Sequence, residues 1–238
     1  MNTFGFLVLT LTLTLIQYTL GYTKKGIQVH DLLLILAIFT TLYAVFAIAR
    51  QASQLAYIQR YRFHPAIKKK LKNKHPTLTD AQLDQVFQAL RDYFHICNRA
   101  KRRMVSMPSQ VVDDAWHEFI LFTRTYQRFC QKAYGRFLHH TPAEAMATPT
   151  LAQEGIKRTW RLACIKENIS LQTPSRLPLL FSIDAQLAVA GGFFYSLHCR
   201  PGDNGYCASN IGCGGGCGGG GDGDSGADSG CGGGCGGD

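Results

Sequence analysis

Ser109 to Gly135 reads SQVVDDAWHEFILFTRTYQRFCQKAYG, and this stretch decides the fold. Met107-Pro108 precedes it, Ser109 is placed to cap a helix, and Gly135 supplies a stop. Val112, Trp116, Phe119, Thr123, Tyr126, Cys130 and Ala133 recur at alternating spacings of four and three, which predicts one long helix with a single core-facing edge. Upstream, Thr79 and Gln82 form a capping-box signature for a helix reaching about Ala100, with the stripe Leu83, Val86, Phe87, Leu90, Phe94, Cys97. A turn near Ser106 joins the two, so the expectation is an antiparallel helix hairpin. Downstream, Thr141-Pro142 opens a short helical turn, and Pro149 precedes a third helix over 151–168 carrying Ile156, Trp160 and Cys164. The run from Leu179 to Val189 reads equally as a strand followed by a turn or as a short helix.

The rest of the 238-residue chain is biased at both ends. Phe4–Leu20 and Leu32–Ala49 are uncharged apolar runs, each near the length that crosses a bilayer core. The second, LLLILAIFTTLYAVFAIA, is the stronger, and its threonine hydroxyls can bond back to helix carbonyls. The first alternates Leu with Thr between Leu9 and Leu15; a cleaved signal peptide is its other reading, but no Lys or Arg precedes it. From residue 199 onward 18 of 40 positions are Gly and 6 are Cys, too little apolar material to fold alone. The expected fold class is therefore mainly α. Residues 1–49 form a membrane anchor of two transmembrane helices, 50–76 a basic juxtamembrane segment, 77–198 a helical cytoplasmic domain, and 199–238 a disordered Gly/Cys-rich tail. This division excludes a fully soluble two-domain enzyme.

The net charge of +9 is unevenly placed, because the tail after Pro201 holds five Asp and no Lys or Arg. Eight Lys or Arg and no acid lie between Arg50 and Lys74. Cationic flanks stay in the cytoplasm, so the expected location is the inner, cytoplasmic membrane, multi-pass, with both termini cytoplasmic. Lys68, Lys69, Lys70, Lys72 and Lys74 are expected to meet anionic lipid headgroups rather than nucleic acid, because no aromatics interleave them.

Val112 to Pro142, VDDAWHEFILFTRTYQRFCQKAYGRFLHHTP, resembles the signature helix of the glycine-rich domain-containing protein-like family. The matching positions are Asp113, Trp116, His117, Tyr126, Cys130, Gly135 and the His139-His140 pair, and the tail is similar to tails on bacterial relatives. The resemblance implies a helical domain and brings little chemistry.

His, Cys and Asp together invite a metal site. On one straight helix His117 and Cys130 stand about 19 Å apart along the axis and roughly 220° around it, so they cannot share an ion. His139 fares no better, with about 26 Å of helix between His117 and Tyr134 and only about 17 Å of chain to return. Any cluster uniting the signature residues is excluded unless the helix breaks. Two groupings survive: Cys97 facing Asp113 and His117 across the hairpin, and His139-His140 folding back toward Cys130. Packing is the competing explanation for each: an Asp113–His117 pair flanking Trp116, core thiols at Cys97, Cys130 and Cys164, and loop histidines at 139 and 140. In the tail, Cys213, Cys217, Cys231 and Cys235 form two CGGGC units, looser than usual zinc spacing but able to bend around zinc or cuprous ion.

No nucleophile elbow, Walker loop, dinucleotide fingerprint or H-E-x-x-H is present, so no catalytic residue is assigned. The reading is a membrane-anchored binding or scaffold module, with two readings open for its tail: a soft-metal site, or a flexible low-complexity extension whose cysteines are incidental. A metal-dependent enzyme centred on Asp113 and His117 is the alternative.

Overall fold

The computed structural model describes residues 12–14, 16–17, 29–141, 149–197, 206–207, 211 and 234–235. It is mainly helical. In chain order the elements are α1 (Val29–Arg60), α2 (Pro65–Lys74), α3 (Asp80–Ala100), β1 (Val105–Ser106), α4 (Gln110–Ile120), α5 (Thr123–Tyr134), α6 (Pro149–Lys166), α7 (Leu179–Gln186), β2 (Tyr195–Ser196), β3 (Tyr206–Cys207) and β4 (Gly234–Cys235). β2 pairs in parallel with β3, and β4 pairs antiparallel with β1. Contacts divide the chain into two units, Met1–Ala52 and Ser53–Asp238.

The part of α1 in the first unit is apolar on all sides over residues 32–49. Leu33, Leu34, Leu36 and Ile48 are each at least 60% exposed, so their apolar surface is left without protein cover. Thr40 and Thr41 donate to the Ala37 carbonyl at 2.9 and 2.7 Å, which satisfies their hydroxyl donors within the helix itself. Among the described residues this is the helix long and apolar enough to cross a membrane, by length and composition; a signal sequence would pass the same test. The first apolar run, expected over 4–20 as another span, lies mostly outside the described residues, of which it includes only 12–14 and 16–17.

In the second unit, α3 begins as its sequence dictates. The Thr79 hydroxyl accepts from the Gln82 N–H while the Gln82 side chain accepts from the Thr79 N–H at 2.7 Å, a reciprocal cap. Its whole predicted stripe, Leu83 to Cys97, is buried. The undecided run after Pro178 is helix, α7, with Leu180, Phe181 and Ile183 in the core. β1 presses against α6. The Thr159 hydroxyl donates to the Ser106 carbonyl at 2.7 Å, and a Cβ at Gly155 would stand 2.2 Å from the Ser106 hydroxyl. Only glycine admits that approach, which outweighs its cost of about 1 kcal/mol inside a helix.

The long helix expected over 109–134 is corrected by the structure: it breaks at Leu121–Phe122 into α4 and α5. The hairpin of two continuous arms therefore does not describe the domain. No glycine or proline causes the break. Phe122 leaves the helical region at φ −84°, ψ 57°, and its ring packs against His64, the cap of α2, and beneath the ammonium of Lys70 midway along it. The expected core edge survives the break with one exception and one addition. Thr123, expected on the core edge, is exposed, and Phe129, absent from the expected stripe, is 1% exposed and rings with Phe94, Phe119 and Tyr61. Tyr126, Cys130 and Ala133 are buried as expected, and Phe129 widens that edge at ordinary helical spacing.

The basic stretch after Arg60 is not a loose segment. α2 starts with Pro65 after its His64 cap, and its Ile67 and Leu71 are fully buried. Its lysines are largely spent on the domain itself. Lys68 pairs with Asp84 at 2.7 Å, Lys70 with Glu118 at 3.5 Å and Lys74 with Asp114 at 2.6 Å, and Lys72 donates to the Leu78 carbonyl.

Candidate functional site

The first turn of α4 fixes where Asp113 and His117 point. The Ser109 hydroxyl accepts from the Val112 N–H at 3.3 Å and donates to Asp184 of α7 at 2.7 Å. The same carboxylate accepts from the N–H groups of Gln110 and Val111, so a buried anion sits at the helix N-terminus, where the dipole favours it. One turn on, the adjacent acids diverge, as consecutive helix positions must. Asp114 turns to α2 and accepts from Lys74, from His75 Nε2 at 2.7 Å and from Gln110 at 3.2 Å. Burial alone would push the Asp114 carboxyl up, but the Lys74 and His75 hydrogen bonds outweigh it and hold the group below its ordinary value. Asp113 turns the other way, toward His117.

The third member comes from beyond α5. Gly135 adopts the left-handed conformation at φ 73° and returns its N–H to Gln131, ending the helix. Residues 136–140 then run back as a strap. Arg136 donates to the Lys101 carbonyl at 2.6 Å, Leu138 is 1% exposed, and its carbonyl accepts from the Tyr126 hydroxyl at 2.6 Å. His140 arrives edge-on to Trp116, with ring centroids 4.4 Å apart.

Asp113, His117 and His140 thus meet. His140 Nε2 lies 3.0 Å from Asp113 Oδ1, and His117 Nδ1 lies 3.3 Å from Oδ2. The two imidazole rings are 4.3 Å apart, and one donor atom from each of the three residues lies within 4.8 Å of the others. Tetrahedral zinc with ligand bonds of about 2.0 to 2.1 Å separates its ligand atoms by about 3.3 Å, so one carboxylate oxygen and its neighbouring imidazole already stand at about one edge of that figure, and the third donor, within 4.8 Å, would draw in around an ion. The His140 and Asp113 side chains are 8% and 15% exposed, while His117 is 49% exposed, so an ion held here has protein on one side and solvent on the other.

The structure treats the other expected ligands differently. Cys97 is buried on α3 and has no place in this grouping. Cys130 and Cys164 are core thiols, and burial, with the nearby Glu167 charge, pushes Cys164 up to about 11, away from the thiolate that binds metal. Cys213, Cys217 and Cys231 lie outside the described residues, and Cys235 is described only by its backbone pairing with Val105. His139 packs at a tilt against the Phe137 ring, with centroids 4.7 Å apart. A second polar cluster is already satisfied: buried Asp92 accepts from Lys166 and Gln88, both at 2.9 Å, and His95 is lowered to about 4 by burial and then by the Lys166 and Arg99 charges. His140, which the sequence placed with His139 and Cys130, instead joins Asp113 and His117.

A family model described as UCP032817-like matches residues 53–215. The expected kinship with the glycine-rich domain-containing protein-like family is overturned by this match. No curated protein and no solved structure matches the chain significantly. The match begins within a residue of where the second unit begins and covers α2 to β3, including all three site residues, so the chain belongs to the UCP032817-like family.

Proposed function

We propose that this chain is a membrane-anchored helical domain that holds one divalent metal ion, zinc first, on Asp113, His117 and His140. The convergence of these three donors within 4.8 Å carries the reading. Two imidazoles and a carboxylate suit zinc better than cuprous ion, which prefers thiolates. The tail cysteines are not needed for it. The test uses the full chain in detergent micelles with exposed cysteines alkylated. Zinc at about 100 times its dissociation constant should stabilise the wild type by about 2.7 kcal/mol, while His117→Ala should show no gain. Equal stabilisation of both, or of neither, overturns the reading. Because His117 is half-exposed, its loss should leave the apo fold intact.

The exposure of His117 favours a second reading, a metal-dependent enzyme. Three protein ligands leave a position for water, the pattern of catalytic rather than structural zinc, and such water ionises near a pKa of about 7. In the same preparation, cobalt in place of zinc should change its visible spectrum on adding azide. A spectrum indifferent to azide returns the site to a binding role.

The anchor half of the proposal rests on the uncovered apolar surface of α1, whose residues 32–49 span about 27 Å as helix, close to a bilayer core. Arg50, Arg60 and Arg62 follow that run, so the domain and the C-terminus lie in the cytoplasm, and an apolar run before residue 21 would then be a first span. The α2 lysines add less to lipid contact than their number suggests, because the domain's own acids engage them. A reporter active only outside the cytoplasm, fused after Asp238, should be silent. Activity there reverses the topology.

A further inference from the structure

His140 lies on a strap rather than on a helix, yet it must be held as firmly as Asp113 and His117 for three donors to meet an ion. A hydrogen-bonded relay under the strap does this. Trp116 Nε1 donates to the Tyr126 hydroxyl at 3.2 Å, and that hydroxyl donates onward to the Leu138 carbonyl at 2.6 Å. One hydroxyl thereby ties α4, α5 and the strap together. Leu138 is two residues before His140, so fixing its carbonyl leaves few torsions by which the imidazole could drift. Trp116 acts at both ends, since its ring also lies edge-on to His140 at 4.4 Å.

We infer that Tyr126 is a positioning residue for the metal ligand His140, acting through the Trp116–Tyr126–Leu138 relay. The inference rests on the metal reading above. Tyr126 is 1% exposed and touches neither the proposed ion position nor solvent, so its hydroxyl has no direct role in binding. Its ring packs edge-to-face on Phe119 and Phe137 at 5.2 and 5.3 Å, contacts that phenylalanine would keep. Residues that orient metal ligands typically change metal affinity by about 10- to 100-fold when removed.

The experiment compares cobalt binding by the full chain in micelles, with exposed cysteines alkylated, for wild type, Tyr126→Phe and Thr159→Val. The third variant is the control, because the Thr159 hydroxyl also donates to a buried carbonyl, that of Ser106, but on α6 against β1. Tyr126→Phe should bind cobalt about 10- to 100-fold more weakly, with an altered visible absorption envelope from a displaced His140. Thr159→Val should retain wild-type affinity and spectrum. Wild-type affinity and spectrum in Tyr126→Phe would overturn the inference while leaving the metal reading standing. Equal weakening by Thr159→Val would also overturn it, because general loosening would then explain both. If the wild type itself binds no cobalt and no zinc, the metal reading falls and the inference with it.

Discussion

Replacing Asp184 by alanine should destabilise the domain by about 3 to 5 kcal/mol, because several buried donors lose their acceptor at once. The carboxylate is 1% exposed and accepts from the Ser109 hydroxyl at 2.7 Å, the Gln110 N–H at 2.7 Å, the Phe193 N–H at 2.9 Å and the Val111 N–H at 3.3 Å. Three of these donors open α4, so the substitution also removes the anion that stabilises the positive end of that helix. A domain has only about 5 to 15 kcal/mol of stability to lose. Urea unfolding followed by far-ultraviolet circular dichroism should therefore shift strongly, and Asp184→Asn, which keeps one acceptor oxygen, should fall between the two. A loss below about 1 kcal/mol would mean that water replaces the carboxylate and that α7 does not hold the start of α4.

The second large effect is expected at Trp116. Its side chain is fully buried among Tyr93, at a ring separation of 5.4 Å, Phe94 at 6.0 Å and His140 at 4.4 Å. Trp116→Ala should cost about 3 to 5 kcal/mol, the sum of lost burial and the cavity left behind. Trp116→Phe should cost about 1 to 2 kcal/mol, since it keeps much of the ring contact and loses the N–H to Tyr126. The same unfolding measurement separates the two. Near-equal, small losses would show that neighbouring rings collapse into the space and that the aromatic cluster does not centre on Trp116.

These two residues were legible in the sequence to different degrees. Trp116 falls on an apolar stripe, and periodicity alone puts it inside. Asp184 sits in a short run of mixed pattern, and nothing local says that a carboxylate there will cap a helix more than seventy positions earlier in the chain. That bond depends on how α7 packs, which no window of neighbouring residues records.

The sequence by itself determined the helical class, the apolar helix near the N-terminus, the capping box that starts α3, the stop at Gly135 and the divergence of Asp113 from Asp114. Each follows from forces acting within one or two turns: side-chain periodicity, a hydroxyl reaching the third N–H, a glycine free to adopt positive φ. Tertiary structure alone decided the break at Leu121–Phe122. No local residue disfavours helix there; Phe122 leaves it to pack on α2, Thr123 is left exposed, and Phe129 joins the buried rings. The site depends on that break. On one straight helix the strap could not carry His140 back to His117, whereas the broken helix lets Asp113, His117 and His140 meet within 4.8 Å. Local propensity fixes the helices, but the burial of a few aromatic rings fixes the angle between them, and that angle decides which distant side chains share a site.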